Sequence, residues 1–130
     1  MDCKKPMKTM CSIMAGLALA LTLNAASGND QVAQAPPQTA TVRGEVIELE
    51  CYLASGARGP GHAAGARKCI EAGRPAGLRT KPGQIYLLIG TRELLSAQFA
   101  PLAGKMVTVS GQYATRDGVF ALENPQLVKQ

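Results

Sequence analysis

Asp117-Gly118 stands between two runs of alternating side chains, and it restricts the end of this chain more than any other feature. Before it, Met106 to Tyr113 sets Val107, Val109 and Tyr113 against Thr108 and Ser110; after it comes Val119 to Leu122. Two extended arms joined by such a dipeptide need positive φ at the turn, which glycine accepts without steric cost. A β-hairpin is the expectation. A last extended piece, Gln126 to Val128, follows the break at Asn124-Pro125.

The same reading extends upstream. Thr41 to Leu53 reads as one long strand, with Val42, Gly44 and Val46 on one face and Ile47, Leu49, Cys51 and Leu53 on the other. The phase slips between Val46 and Ile47, which predicts a bulge or sharp coil that lets one strand serve both sides of a small barrel. It also predicts that Cys51 points into the core. Leu78–Thr80 and Gln84–Gly90 flank Lys81-Pro82-Gly83 as a second hairpin, whose arm IYLLI is apolar on both faces and so expected to be central. Thr91 is positioned to cap a short helix bearing Leu94, Leu95, Phe99 and Leu102, which Gly104 or the earlier Pro101 would stop.

The resulting order is strand, insertion, strand, strand, helix, strand, strand. It resembles the five-stranded OB barrel, and the ending GKMVTVSGQYATRDGVFALENPQLV is similar to the last hairpin of small exported OB-like domains. The expected fold class is therefore mainly β: a small five-stranded OB-like barrel with one short helix and a Gly/Cys-rich insertion, residues 54–77, after the first strand. The resemblance speaks for fold and says little about activity, since this barrel carries many.

Residues 1–27 have the layout of a secretory signal. Lys4, Lys5 and Lys8 precede an apolar run from Ile13 to Leu23, which small residues at Ala25, Ala26 and Ser27 follow. That run is well short of the roughly 20 residues that cross a hydrocarbon core, so cleavage near Ala25 to Ser27 is expected and no transmembrane span after it. The location implied is periplasmic or secreted. Residues 28–40, polar and proline-containing, read as a flexible tether, leaving residues 41–130 as one domain with room for a modest core.

Cleavage removes Cys3 and Cys11, which leaves Cys51 and Cys69. In an exported chain, two cysteines make a Cys51–Cys69 disulfide the plain reading. It would close a loop of about 19 residues, worth about 3 kcal/mol in the chain-entropy account. Free or transient thiols, and with them a thiol redox role, are the alternative.

Charge is also localised. From Gly28 onward eleven basic residues face eight acidic ones, and Arg58, Arg67, Lys68, Arg74, Arg79 and Lys81 face only Glu71 between Ala54 and Gly83. Such a patch suits an anion, an acidic envelope protein or an anionic lipid surface, or is simply a solvated face.

The stretch from Glu50 to Leu78 gathers the chain's single histidine and both remaining cysteines. It is similar to a family of small exported bacterial proteins whose shared segment runs Cys-Tyr, several glycines, His-x2-Cys-x3-Cys, then Gly-x-Pro-x-Gly-Leu. Cys51-Tyr52, Gly56, Gly59, His62, Cys69, Gly73, Pro75, Gly77 and Leu78 match in order and spacing. Gly65 stands where the pattern has its middle cysteine. The resemblance implies a site and no particular reaction.

A helix over His62–Glu71 would put positions 62, 65/66 and 69 on one stripe. Cys51, His62 and Cys69 then make an incomplete N/S ligand set for zinc or another transition metal, with water or a partner ligand in the fourth position. His62 and Cys69 would stand about 10 Å apart along the axis, so convergence requires His62 in or before the first turn. A surface or hydrogen-bonding role is the plainer reading of His62.

Other chemistries find no support. A Cys/His hydrolase dyad lacks a third group and an oxyanion signature, and the glycines lack the Gly-Lys-Ser/Thr ending of a phosphate loop. Nucleic-acid binding is disfavoured by compartment and by an aromatic content of three Tyr, two Phe and no Trp. The expectation is a binding domain and not an enzyme, or else an interaction module of an envelope assembly docking through its basic insertion.

Overall fold

The computed structural model describes residues 36–129; the leader with Cys3 and Cys11, and most of the tether, lie outside them. Five strands close into a barrel: β1 (Gln38–Glu48), β2 (Ala76–Arg79), β3 (Ile85–Ile89), β4 (Met106–Arg116) and β5 (Val119–Leu127). Around the ring the order is β1-β2-β3-β5-β4, with β4 returning to β1. All pairings are antiparallel except β3 with β5.

The long first strand makes closure possible by changing partners along its length. Gln38 to Glu45 pair with β4, and Glu45 to Glu48 pair with β2. The expected double service is present, but neither register is interrupted by a bulge at Val46–Ile47. The slip in hydrophobic phase has another cause: from Gly44 to Glu48 both faces of β1 are buried, because helices of the insertion lie over its outer side. The register shift falls instead between Ser110 and Gln112, where β4 meets β5. Gly111 sits there, and a Cβ on it would lie 3.0 Å from the Glu123 carbonyl oxygen.

The strand expected to reach Leu53 stops at Glu48, and α1 (Leu49–Ser55) begins. Glu48 explains the change. Its carboxylate accepts hydrogen bonds from the Glu50 and Cys51 N–H groups, both at 2.8 Å, and so caps the helix that its backbone has just left. The Leu49 N–H is taken by Pro75 O at 2.9 Å, tying the start of α1 to the chain entering β2. Gly56, at φ 71°, ends the helix in the left-handed conformation. As a result Cys51 does not enter the barrel core but lies half-buried on α1, while Leu53 is 78% exposed.

The insertion continues as a 3-10 turn over Pro60–His62 and α2 (Ala63–Glu71). The single expected helix becomes three, since α3 (Arg92–Gln98) is also present, capped by the Thr91 hydroxyl accepting from the Leu94 N–H at 3.2 Å. Pro101 does stop α3 early, by starting a 3-10 turn over Ala100–Leu102.

The turns behave as their residues require. Asp117 and Gly118 both take positive φ, 49° and 83°. Asn124 also turns to φ 49°, yet β5 continues through it to Leu127, so the piece expected after Pro125 belongs to β5. β1 starts at Gln38, so the end of the expected tether is strand.

The core joins Val46, Leu78, Leu88, Val109 and Leu122 from the strands to Ala66 and Ile70 of α2 and the fully buried Phe99. The insertion therefore contributes to the core and is not an appendage to it. Among the described residues no helix is long and apolar enough to cross a membrane.

Candidate functional site

Cys51 projects from the third position of α1, and Cys69 from the last turn of α2. Ligand atoms of Glu48, Cys51 and Cys69 all lie within 4.8 Å of one another. Both cysteines are free thiols and half-buried; Glu48 is 1% exposed. Backbone and salt-bridge contacts hold the two helices in place. Arg74 N–H donates to Cys69 O at 3.0 Å, and the Arg74 guanidinium pairs with Glu50 on α1.

A buried carboxylate beside a thiol alters both groups. For Glu48 burial is the largest single influence and pushes the carboxyl up. The Cys51 thiol, the Cys51 and Glu50 N–H groups and the Arg74 charge together outweigh it and hold Glu48 below its ordinary value. Glu48 is therefore ionised at neutral pH. The Cys51 thiol is pushed up to about 11, first by its hydrogen bond to Glu48 and then by burial and the Glu48 charge, with Cys69 adding to the effect. Thiols are nucleophiles and metal ligands only as thiolates, so at neutral pH Cys51 is a quiet thiol beside a carboxylate.

His62 is not in this group. It precedes α2, which satisfies the condition for convergence, but its ring lies over Gly65, where an added Cβ would meet Cε1 at 3.2 Å. Its Nε2 is buried with no hydrogen-bond partner among the described residues. It lines a narrow cleft together with Val46, Ile47, Glu48, Arg58, Gly59 and Gly104. The stripe expected through positions 62, 65/66 and 69 is likewise displaced: Ala66 and Ile70 are the buried positions of α2, and Cys69 flanks them. A cysteine at position 65 would project against the imidazole.

Three of the basic residues of the insertion have carboxylate partners, two of them from outside it. Arg58 pairs with Glu45 at 3.3 Å, Arg67 with Glu71 at 2.8 Å and Arg74 with Glu50, while Arg79 Nε donates to the Tyr52 hydroxyl at 3.1 Å. Glu45 and Glu50 precede the stretch in which the basic excess was counted, and folding brings them to it.

An open cleft of about 580 Å³ lies elsewhere. It opens between the β2–β3 and β4–β5 turns against Ile85, Leu87, Val119 and Phe120, and none of its lining side chains is acidic, basic or a thiol. Nearby, Tyr86, Tyr113 and Phe120 pack with tilted rings whose centroids are 5.8–6.5 Å apart. This cleft has shape but no group that could do chemistry.

Glu48 is the member of the site that sequence reasoning missed. Its signal was a carboxylate three residues before Cys51, but glutamate is not among the strong N-caps, and within a strand it reads as solvent-facing. Comparison of the chain with family models, with curated proteins and with solved structures gave no match.

Proposed function

We propose that this chain is a small exported binding domain on an OB-like barrel, and that the thiol pair of its helical insertion is the functional group. The OB-like assignment rests on the ring order, the parallel β3–β5 pair and the helix placed between β3 and β4. Export rests on the lysine-flanked apolar leader, and the motif shared with small exported bacterial proteins supports the same compartment.

One observation carries the functional reading: two half-buried thiols and an ionised buried carboxylate share one small volume. Burying a carboxylate costs free energy unless it is well paired, and capping α1 needs no ionised glutamate, since neutral Ser, Thr or Asn caps a helix as well. The pairing with a thiol gives Glu48 a use that the cap alone does not.

Docking of the basic insertion on an acidic protein or anionic lipid is the weaker reading, because Arg58, Arg67 and Arg74 already have carboxylate partners. A structural Cys51–Cys69 disulfide is the competing account of the pair, and a thiol redox role is a variant of it.

Intact mass after alkylation under denaturing, nonreducing conditions decides between them, using protein purified from its export compartment. Two alkyl groups per chain support the dithiol reading. A mass about 2 Da below the reduced value with no alkylation means a staple, and the reading fails.

A further inference from the structure

We propose that Cys51, Cys69 and Glu48 together bind one thiophilic divalent ion of the zinc type, with Glu48 taking the place that the sequence suggested for His62. The inference rests on the dithiol reading above and names the ligand of that site.

The donor set fits such an ion. Two sulfurs and one carboxylate oxygen in a tetrahedral shell, with bonds of about 2.3 Å and 2.0–2.2 Å, stand roughly 3.5–3.8 Å apart. The three groups already lie within 4.8 Å of one another, so side-chain rotations of about 1 Å close the shell without moving α1 or α2. Glu48 has the capacity: a carboxylate offers about four acceptor positions, and the Glu50 and Cys51 N–H groups occupy only two. Those hydrogen bonds also orient the carboxylate, as outer contacts do for metal ligands.

Charge and protons balance. Binding releases one proton from each thiol to solvent, as thiolate ligands require, so a divalent ion with two thiolates and one carboxylate leaves one net negative charge. Arg74, whose charge acts on both Glu48 and Cys69, sits beside it. The half-exposed cysteines leave the fourth position toward solvent for water or a partner's donor group. Thiolate donors select zinc or cadmium over magnesium and calcium, which prefer oxygen shells.

His62 is excluded by position. Its ring nitrogens do not lie within 4.8 Å of all three ligand atoms of Glu48, Cys51 and Cys69, and its ring is held over Gly65.

The test is a cadmium titration of the reduced protein, read by thiolate-to-cadmium charge-transfer absorption and by proton release in weak buffer, with magnesium as control. One equivalent should saturate the band and release two protons. Cys51→Ser and Cys69→Ser should each weaken binding at least tenfold, on the order of ligand-environment losses seen in metal sites. Glu48→Asp keeps both the cap and the charge but withdraws the oxygen by one methylene, and should also weaken binding about tenfold. His62→Ala should bind within about twofold of the parent, as a residue outside the shell does.

Loss of binding in His62→Ala with full binding in Glu48→Asp would overturn the proposal, as would the lack of a charge-transfer band. Nonreducing alkylation of the protein as purified from its export compartment, run beside the titration, separates the two levels of the argument. Two reactive thiols without cadmium binding sink the metal inference and leave the dithiol reading standing; fewer than two sink both.

Discussion

The Glu48 carboxylate and Cys51 meet twice: the carboxylate accepts the Cys51 backbone N–H at 2.8 Å and lies within 4.8 Å of the Cys51 sulfur, whose thiol it holds protonated. One side chain thereby ends β1, starts α1 and sets the reactivity of a thiol one turn on. Local structure and site chemistry are coupled through a single residue, and its substitutions can be used to separate them.

Removing the negative charge should release the thiol. In a Cys69→Ser background, Glu48→Gln removes the first cause of the upward shift and lets the Cys51 pKa fall toward its ordinary 9.0. At pH 8 the thiolate fraction then rises by up to about a hundredfold, and allowing for the lower nucleophilicity of the less basic thiolate, iodoacetamide alkylation should accelerate by up to about tenfold. An unchanged rate would mean that the carboxylate does not control the thiol.

Stability should depend on pH through the same two groups. Glu48 has a folded pKa below its ordinary 4.5, so its contribution is complete above that value and is lost as pH falls through the lower folded one. Cys51 is shifted up, so its contribution is complete below 9.0 and is lost as pH rises toward 11. Urea unfolding from pH 3 to 11 should show both slopes, and Glu48→Gln should flatten both. At pH 7, Glu48→Ala should cost about 1–2 kcal/mol through the lost cap.

Barrel closure should be sensitive to Gly44. A Cβ there would lie 2.8 Å from both Arg79 O and Leu78 Cγ, where β1 changes partner from β4 to β2. Because one neighbour is backbone, it cannot rotate away. Gly44→Ala should destabilise by about 2–3 kcal/mol in urea unfolding, whereas Gly56→Ala meets no neighbouring atom and should show only the smaller cost of its positive φ.

Oxidation and metal binding should exclude each other. Oxidised glutathione can take two electrons and two protons from the thiol pair, its own S–S bond breaking to give two reduced glutathiones as one Cys51–Cys69 bond forms, which leaves no thiolate for a metal. Treated protein should lose cadmium binding, recover it on reduction, and gain up to about 3 kcal/mol in unfolding free energy from the closed loop.

Much of the barrel was legible because its signals are local. Asp117-Gly118, Thr91 and Gly83 each act through their own backbone geometry or hydrogen bonds a few residues away, and each behaves as its chemistry requires. The start of α1 was not legible. Leu49, Cys51 and Leu53 continue the alternation of a strand, and the helix forms because Glu48 caps it and Pro75 O takes the Leu49 N–H, a contact across 26 residues of sequence. The site was half legible for the same reason. Cys51 and Cys69 stand out by type alone, but Glu48 joins them only once α1 has turned. His62 leaves them because its ring settles over a glycine where a side chain would have interfered.

The most direct test of the account is whether the two thiols face each other in the native protein. Dibromobimane becomes strongly fluorescent only when it bridges two nearby thiols. Applied at one equivalent to the reduced native chain, it should give a monomer with one reagent joining Cys51 to Cys69, identified in the linked peptides, and denaturation beforehand should abolish preferential bridging. Separate single-thiol adducts, or bridges between chains, would contradict the geometry on which the dithiol site is built.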